Sequence, residues 1–246
     1  LSDESNLYEG AAAGAFSFPN YGTVALGWTG RGLSDFYQED AFKVGYGSVW
    51  PASWSRATGW KFLSNFSFGL TVNFLQVQLV DNDYTRLSSA IARKSNSGIS
   101  LDAGVLYKNG AWKIAAVAKD ILEPDLTLTT ADKNVLPMEL TAGLSYAWPS
   151  MGDFLSSMDV AFRENDRKAR LGVEKWFWHK KIGCRAGLGY GRDWGADFYS
   201  EASLGLSFAF ETIANTSGLD YAFLYPLNSG IQNTWGTHFI SLSLKW

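Results

Sequence analysis

The last ten residues, THFISLSLKW from Thr237 to Trp246, constrain the fold more tightly than any other stretch. From Ile240 the chain alternates without a break. Ile240, Leu242, Leu244 and Trp246 fall on one side, and Ser241, Ser243 and Lys245 on the other. Successive side chains of a strand face opposite ways, so this segment has one dry face and one wet face. It also ends on an aromatic residue. A wall of membrane-spanning strands has a place for such a residue, in the girdle of rings at the bilayer surface.

The same alternation recurs along the chain in about thirteen segments, which predicts an all-β protein. They are 10–17, 21–30, 40–49, 66–80, 97–108, 112–121, 139–148, 154–163, 168–177, 181–190, 199–210, 217–225 and 236–246. Segment 97–108 sets Ile99, Leu101, Ala103, Val105 and Tyr107 against Ser100, Asp102 and Gly104. Segment 199–210 sets Ala202, Leu204, Leu206, Phe208 and Phe210 against Glu201, Ser203, Gly205 and Ser207.

A soluble sandwich and a membrane barrel both fit alternation, and strand length separates them. Globular strands cluster near about 5–6 residues, whereas tilted membrane strands need about 9–11; the segments here match the second. Their apolar faces end repeatedly on Tyr107, Trp148, Tyr190, Tyr225 and Trp246, as aromatic girdles require. The prediction is a single antiparallel up-and-down transmembrane β-barrel over residues 1–246, in a bacterial outer membrane. Outer-membrane lipid is then its surroundings, and the barrel-assembly machinery its partner during insertion. Ile240, Leu242, Leu244 and Trp246 resemble the C-terminal insertion signal of such proteins.

Composition agrees. Aromatic residues make up 15% of the 246, with 25 glycines and only 6 prolines, a mix that favours strands over helices. The mean hydropathy of −0.09 is what half-wet strands give. No apolar run reaches the roughly 18–20 residues of a membrane helix, and LSDESNLYEG is not a signal peptide. A net charge of −3 without a basic cluster argues against nucleic acid. Cys184, the one cysteine, excludes an intrachain disulfide and reads as a small apolar residue.

Connections alternate in length. One set (31–39, 81–96, 122–138, 164–167, 191–198, 226–235) is mostly long and is expected outside the cell. The other (18–20, 50–65, 109–111, 149–153, 178–180, 211–216) is mostly tight and is expected, with the C-terminus, in the periplasm. ENDR at 164–167 and the Trp-rich 50–65 link are the departures. The 50–65 link is expected at the inner membrane interface, where aromatic rings are favoured. Segment 122–138 is either a loop folded over the barrel mouth or a surface for a ligand or protein. Thirteen is odd, and bacterial barrels are normally even, so a further strand is expected, first of all before Leu1, with a strand over 3–9 or one segment counted as two as the alternatives.

Taken together, SGISLDAGVLYKNGAWKIAAVAKDIL (97–122), VLPMELTAGLSYAW (135–148), ARLGVEKWF (169–177), GCRAGLGYG (183–191), GLDYAF (218–223) and THFISLSLKW resemble the PorV/PorQ family of outer-membrane barrels. That family belongs to the wider FadL-like transporter group, and the likeness covers residues 97–246. It implies a fourteen-stranded barrel with an N-terminal hatch in the lumen; the hatch and first strand have no counterpart here.

The predicted lumen side carries Lys43, Thr71, Asn73, Asp102, Lys113, Arg170, Glu174, Arg185, Glu201, Asp220 and Lys245. Arg170, Glu174, Arg185 and Glu201 would form a ladder across three strands. It would act either as a structural filling of the lumen or as a set of substrate contacts. His179 and His238 are expected at opposite rims, which leaves no paired metal site, and no cofactor is expected. No nucleophile motif flanks His238, so catalysis is not expected. DNDYT (81–85) lacks the glycine and distal glutamate of a calcium loop. GLGYG (187–191) has no helix after it to form a phosphate site. Two functions remain open. The FadL-like likeness implies passage of a hydrophobic small molecule. The PorV-like likeness implies a non-catalytic part of a type IX-like secretion or surface-attachment complex that binds other proteins.

Overall fold

The structure, a computed structural model, describes residues 7–19, 21–33, 36–50, 60–130, 133–192, 198–211, 216–228 and 236–243. Thirteen strands run in chain order as neighbours in one antiparallel sheet. They are β1 (Leu7–Phe18), β2 (Gly22–Leu33), β3 (Tyr37–Val49), β4 (Phe66–Leu79), β5 (Ser95–Asn109), β6 (Trp112–Lys119), β7 (Glu139–Trp148), β8 (Phe154–Arg163), β9 (Asp166–Phe177), β10 (Ile182–Arg192), β11 (Tyr199–Glu211), β12 (Thr216–Pro226) and β13 (Thr237–Ser243). Each predicted segment is one strand, with ends shifted by at most three residues where both ends are described; 244–246, the predicted end of the last, lie outside the described residues. The order is that of an up-and-down barrel wall. The chain divides into two compact units, Leu1–Leu106 with Val117–Leu140, and Tyr107–Ala116 with Thr141–Trp246.

In the first unit the registers stack apolar residues into rows on one face. Leu26 lies beside Val44 and Val44 beside Val72; Trp28 lies beside Phe42 and Phe42 beside Phe74. In the second unit Met158, Leu171 and Leu188 make one such row, and Val173, Ala186, Leu204 and Phe223 another. Among the described residues nothing covers these rows. Leu188 is 57% exposed and Leu204 61%. Cys184 shares this face, between Lys175 and Leu206. A continuous exposed apolar surface of this kind is stable against lipid and not against water.

Connections also follow the expected pattern. Asn109-Gly110 closes β5 on β6 with a left-handed glycine (φ 57°), the turn whose twist suits a two-residue hairpin. The 80–94 connection holds the only α-helix among the described residues, α1 (Asp83–Leu87). Its first turn is closed reciprocally, Thr85 N–H donating to Asn82 Oδ1 and Asn82 N–H to Thr85 Oγ1, both at 2.9 Å. Asp81 is held by Lys94 at 2.8 Å and Arg86 at 3.2 Å. The acidic DNDYT stretch is therefore a helix cap and an ion cluster. In the 50–65 link, a 3-10 turn (Lys61–Asn65) leaves Trp60 and Phe62 exposed and stacked at 6.0 Å; residues 51–59 lie outside the described residues.

The apolar face makes a direct prediction. Leu188→Arg places a charge in the middle of a lipid-facing row and should cost about 2–4 kcal/mol of stability in bilayers. Glu201→Gln, on the opposite face of the next strand, should cost well under half of that. Urea unfolding in lipid vesicles, read by heat-modifiable mobility, measures both.

Candidate functional site

Two assemblies occupy the face opposite the apolar rows, one in each unit, the first built around an apolar cluster and the second around charges. In the first unit the alternation of β4 changes phase. Leu70, Val72 and Phe74 face the apolar side, but beyond them Gln76 and Gln78 take that side and Leu75, Val77 and Leu79 turn to the other. The inner face is therefore dry at the end that carries the long connections. The 120–138 segment fills it. Leu126 and Leu128 are buried against Val77, with Leu75, Leu79 and Tyr37 around them. Burying side chains of this size contributes roughly 1.5–3 kcal/mol each.

Hydrogen bonds fix the segment in place. Asn96 Nδ2 donates to the carbonyls of Asp125 and Thr127, both at 3.1 Å. The carboxylate of Asp102 accepts from Asp120 N–H at 2.9 Å, and Ile121 N–H donates to the Leu101 carbonyl at 2.9 Å. Gly98 is needed because any Cβ there would lie 2.7 Å from Pro124 Cβ and 3.2 Å from Leu126 Cδ2. The segment also folds on itself, since Leu126 N–H donates to the Asn134 carbonyl at 2.8 Å and Asn134 N–H to Thr127 Oγ1 at 2.7 Å. Hydrogen bonds from the Thr127 hydroxyl and backbone N–H hold the Asp125 carboxyl below its ordinary value, helped by Lys133 and Arg93. Of the sequence-named residues nearby, Asn73 and Ser100 are buried, with Asn73 Oδ1 and Ser100 Oγ lacking a hydrogen-bond partner. Lys43 sits directly opposite Asn73, and Thr71 opposite Gly45.

The second unit carries the charges. Arg185 on β10 donates from Nε to Glu174 on β9 at 2.6 Å and from Nη1 to Asp220 on β12 at 3.2 Å. To reach β12 it crosses β11 over Gly205, where a Cβ would stand 3.3 Å from its own Cβ. Trp176 Nε1 donates to Glu174 at 2.7 Å, its ring lies 5.8 Å from the guanidinium, and the Ser207 hydroxyl donates to Asp220. Arg170 instead pairs with Asp159 on β8 at 2.9 Å. Glu201 lies over Gly189, which separates it from Arg170 in the register.

The structure thus sorts the anticipated ladder into two groups. Glu174, Arg185 and Asp220 come together, and Arg170 joins Asp159, a residue the sequence reading did not single out. Ser207, Trp176 and Asn96 were also missed. Each shares the inner parity of its strand, and the ring over Gly183 is the sign that Trp176 belongs there, with a Cβ at Gly183 falling 3.1 Å from it. Lys113 faces the polar side of β6; Leu244, Lys245 and Trp246 lie outside the described residues. His179 sits in the turn after β9 and His238 opposite Phe223, towards the other end of the strands, where Nδ1 pairs with the Tyr221 hydroxyl at 2.7 Å. No cluster of potential metal ligands occurs among the described residues.

An antiparallel up-and-down sheet with an exposed apolar face and an ion-paired polar face defines a membrane-wall protein. Residues 51–244 match the family described as type IX secretion system membrane protein PorP/SprF, and the chain belongs to that family. No curated protein and no solved structure matches it. The match is to PorP/SprF and not to the PorV/PorQ family that the sequence resembles. What the two readings share is a bacterial outer-membrane barrel. Degenerate alternating strands are common to all such walls, so they do not separate one barrel family from another.

Gly98→Ala should push the 120–138 segment off the inner face, at the about 1–3 kcal/mol typical of overpacking, and trypsin should then cleave faster after Lys133. The Asp125 contacts add a pH dependence. Because its value is lowered on folding, their contribution is complete above the ordinary aspartate value near 3.9. It is lost as pH falls through the depressed value. The protection of the Thr127 and Asn134 amides, measured by hydrogen exchange relative to the intrinsic rate at each pH, should fall there and stay constant between pH 5 and 8.

Proposed function

We propose that this protein is a non-catalytic outer-membrane component of a type IX secretion machine that presents a fixed external platform to protein partners. The observation that carries this reading is the 120–138 segment, folded inward and fastened at Asn96, Gly98 and Asp102. It supports partner binding over passage of a hydrophobic molecule, because the dry part of the inner face is filled by Leu126 and Leu128 and offers no greasy path. Membership of a type IX membrane-protein family supports the same choice. The charged residues Glu174, Arg185 and Asp220 act as a structural tie across β9 to β12. The large apolar side chains left exposed on the platform are Leu122, Val135 and Met138, interspersed with Glu123, Asp125, Lys133 and Asn134, and a support held in place lowers the ordering cost of binding. The long connections face the outside of the cell and the C-terminus faces the periplasm.

The test is secretion itself. Leu122→Asp combined with Val135→Asp should leave the barrel inserted and heat-modifiable while reducing export of type IX cargo by about tenfold, the equivalent of roughly 1.4 kcal/mol of lost binding. Unchanged export would sink the platform reading. Uptake of long-chain hydrophobic molecules by vesicles holding the wild-type protein would restore the transport alternative.

A further inference from the structure

A groove of about 360 Å³ opens on the apolar face of the second unit, lined by Trp112, Leu144, Tyr146, Trp148, Ser156 and Leu171 among others. Its wall is a run of rings. Trp112 and Tyr146 lie 4.5 Å apart, and Tyr146 and Trp148 meet edge to face at 5.0 Å. Its floor is opened by Ser156, a small residue among larger apolar neighbours on the face of β8 that carries Phe154 and Met158. The Ser156 hydroxyl accepts from Trp148 Nε1 at 3.0 Å, which holds this ring against the groove and engages that hydroxyl as an acceptor. The site therefore selects for an apolar chain.

Charge at the groove's mouth narrows the choice. Lys175 is on the same face, one residue pair beyond Ser156 towards the tight-turn end, and its Nζ donates to the Met151 carbonyl. Lys180 and Lys181 sit in the following turn, with Asp153 3.3 Å from Lys180. Among the described residues, Lys175 thus brings a cation beside an apolar slot at the level of an aromatic girdle, with Lys180 and Lys181 in the turn that follows it. Membrane phospholipid has the matching chemistry, an acyl chain below an anionic phosphate.

We propose that this groove is a specific phospholipid site, with one acyl chain against Trp112, Tyr146 and Trp148 and the phosphate beside Lys175. The proposal rests on the apolar face meeting lipid and is independent of which secretion partner the platform binds. Full-length protein extracted from its own membrane in mild detergent, and studied by native mass spectrometry, tests it. The wild type should keep one phospholipid per chain at collision energies that strip the remainder. Ser156→Phe and Leu144→Trp each fill the slot and should lower that occupancy about tenfold, with Leu204→Ala, elsewhere on the apolar face, leaving it unchanged. Lys175→Gln should weaken retention of anionic phospholipid more than of zwitterionic. Heat-modifiable mobility shows that each variant is folded. Equal retention by the folded slot-filling variants would mean annular lipid only and would overturn the proposal. So would a wild-type chain that holds no lipid, or one whose slot is protected by a protein subunit.

Discussion

Everything in this protein depends on the backbone hydrogen-bond ladder between neighbouring strands. In a bilayer no water is available to satisfy an amide or a carbonyl, and each unmet group costs several kcal/mol. Long antiparallel neighbours joined in chain order, as in β1 to β4 and β8 to β13, satisfy those groups pair by pair. Once the ladder is set, side chains have only two directions. The apolar rows take one and the polar residues the other, and a shift of one residue would exchange them wholesale.

Within that frame the inner face is organised by glycine as much as by charge. Arg185 reaches from β10 to Asp220 on β12 because Gly205 leaves room for its stem, and Trp176 lies flat because Gly183 has no side chain. The ion pairs are partly open to solvent, so each adds little to stability alone. Their worth is geometric, since one guanidinium ties strands that are not neighbours. In the other unit the tie is apolar, with Leu126 and Leu128 packed on Val77. Both devices cover parts of the inner face with the protein's own groups.

The outer face divides by depth. In the second unit the row of Met158, Leu171 and Leu188 has no ring, and the tight-turn end carries Trp112, Tyr146, Trp148 and Lys175. Rings and lysines favour the boundary between acyl chains and head groups, because each has an apolar body and a polar tip. The exposed Trp60 and Phe62 have the same character in the first unit.

Alternation along the chain determined the strands, their two faces and the split between long and tight connections, because a period of two survives whatever packs on the strand. The phase change in β4, where Phe74 is followed by Leu75, Gln76, Val77 and Gln78, was also written in the sequence. It marks where the lipid face ends and an inner dry patch begins. Sequence alone could not say what covers that patch, because Leu126 meets Val77 only through a fold that brings together residues about fifty positions apart. Nor could it pair Arg185 with Asp220, or Arg170 with Asp159. Charge partners across a sheet are set by register and by the gaps that particular glycines leave, and both are properties of the assembled wall.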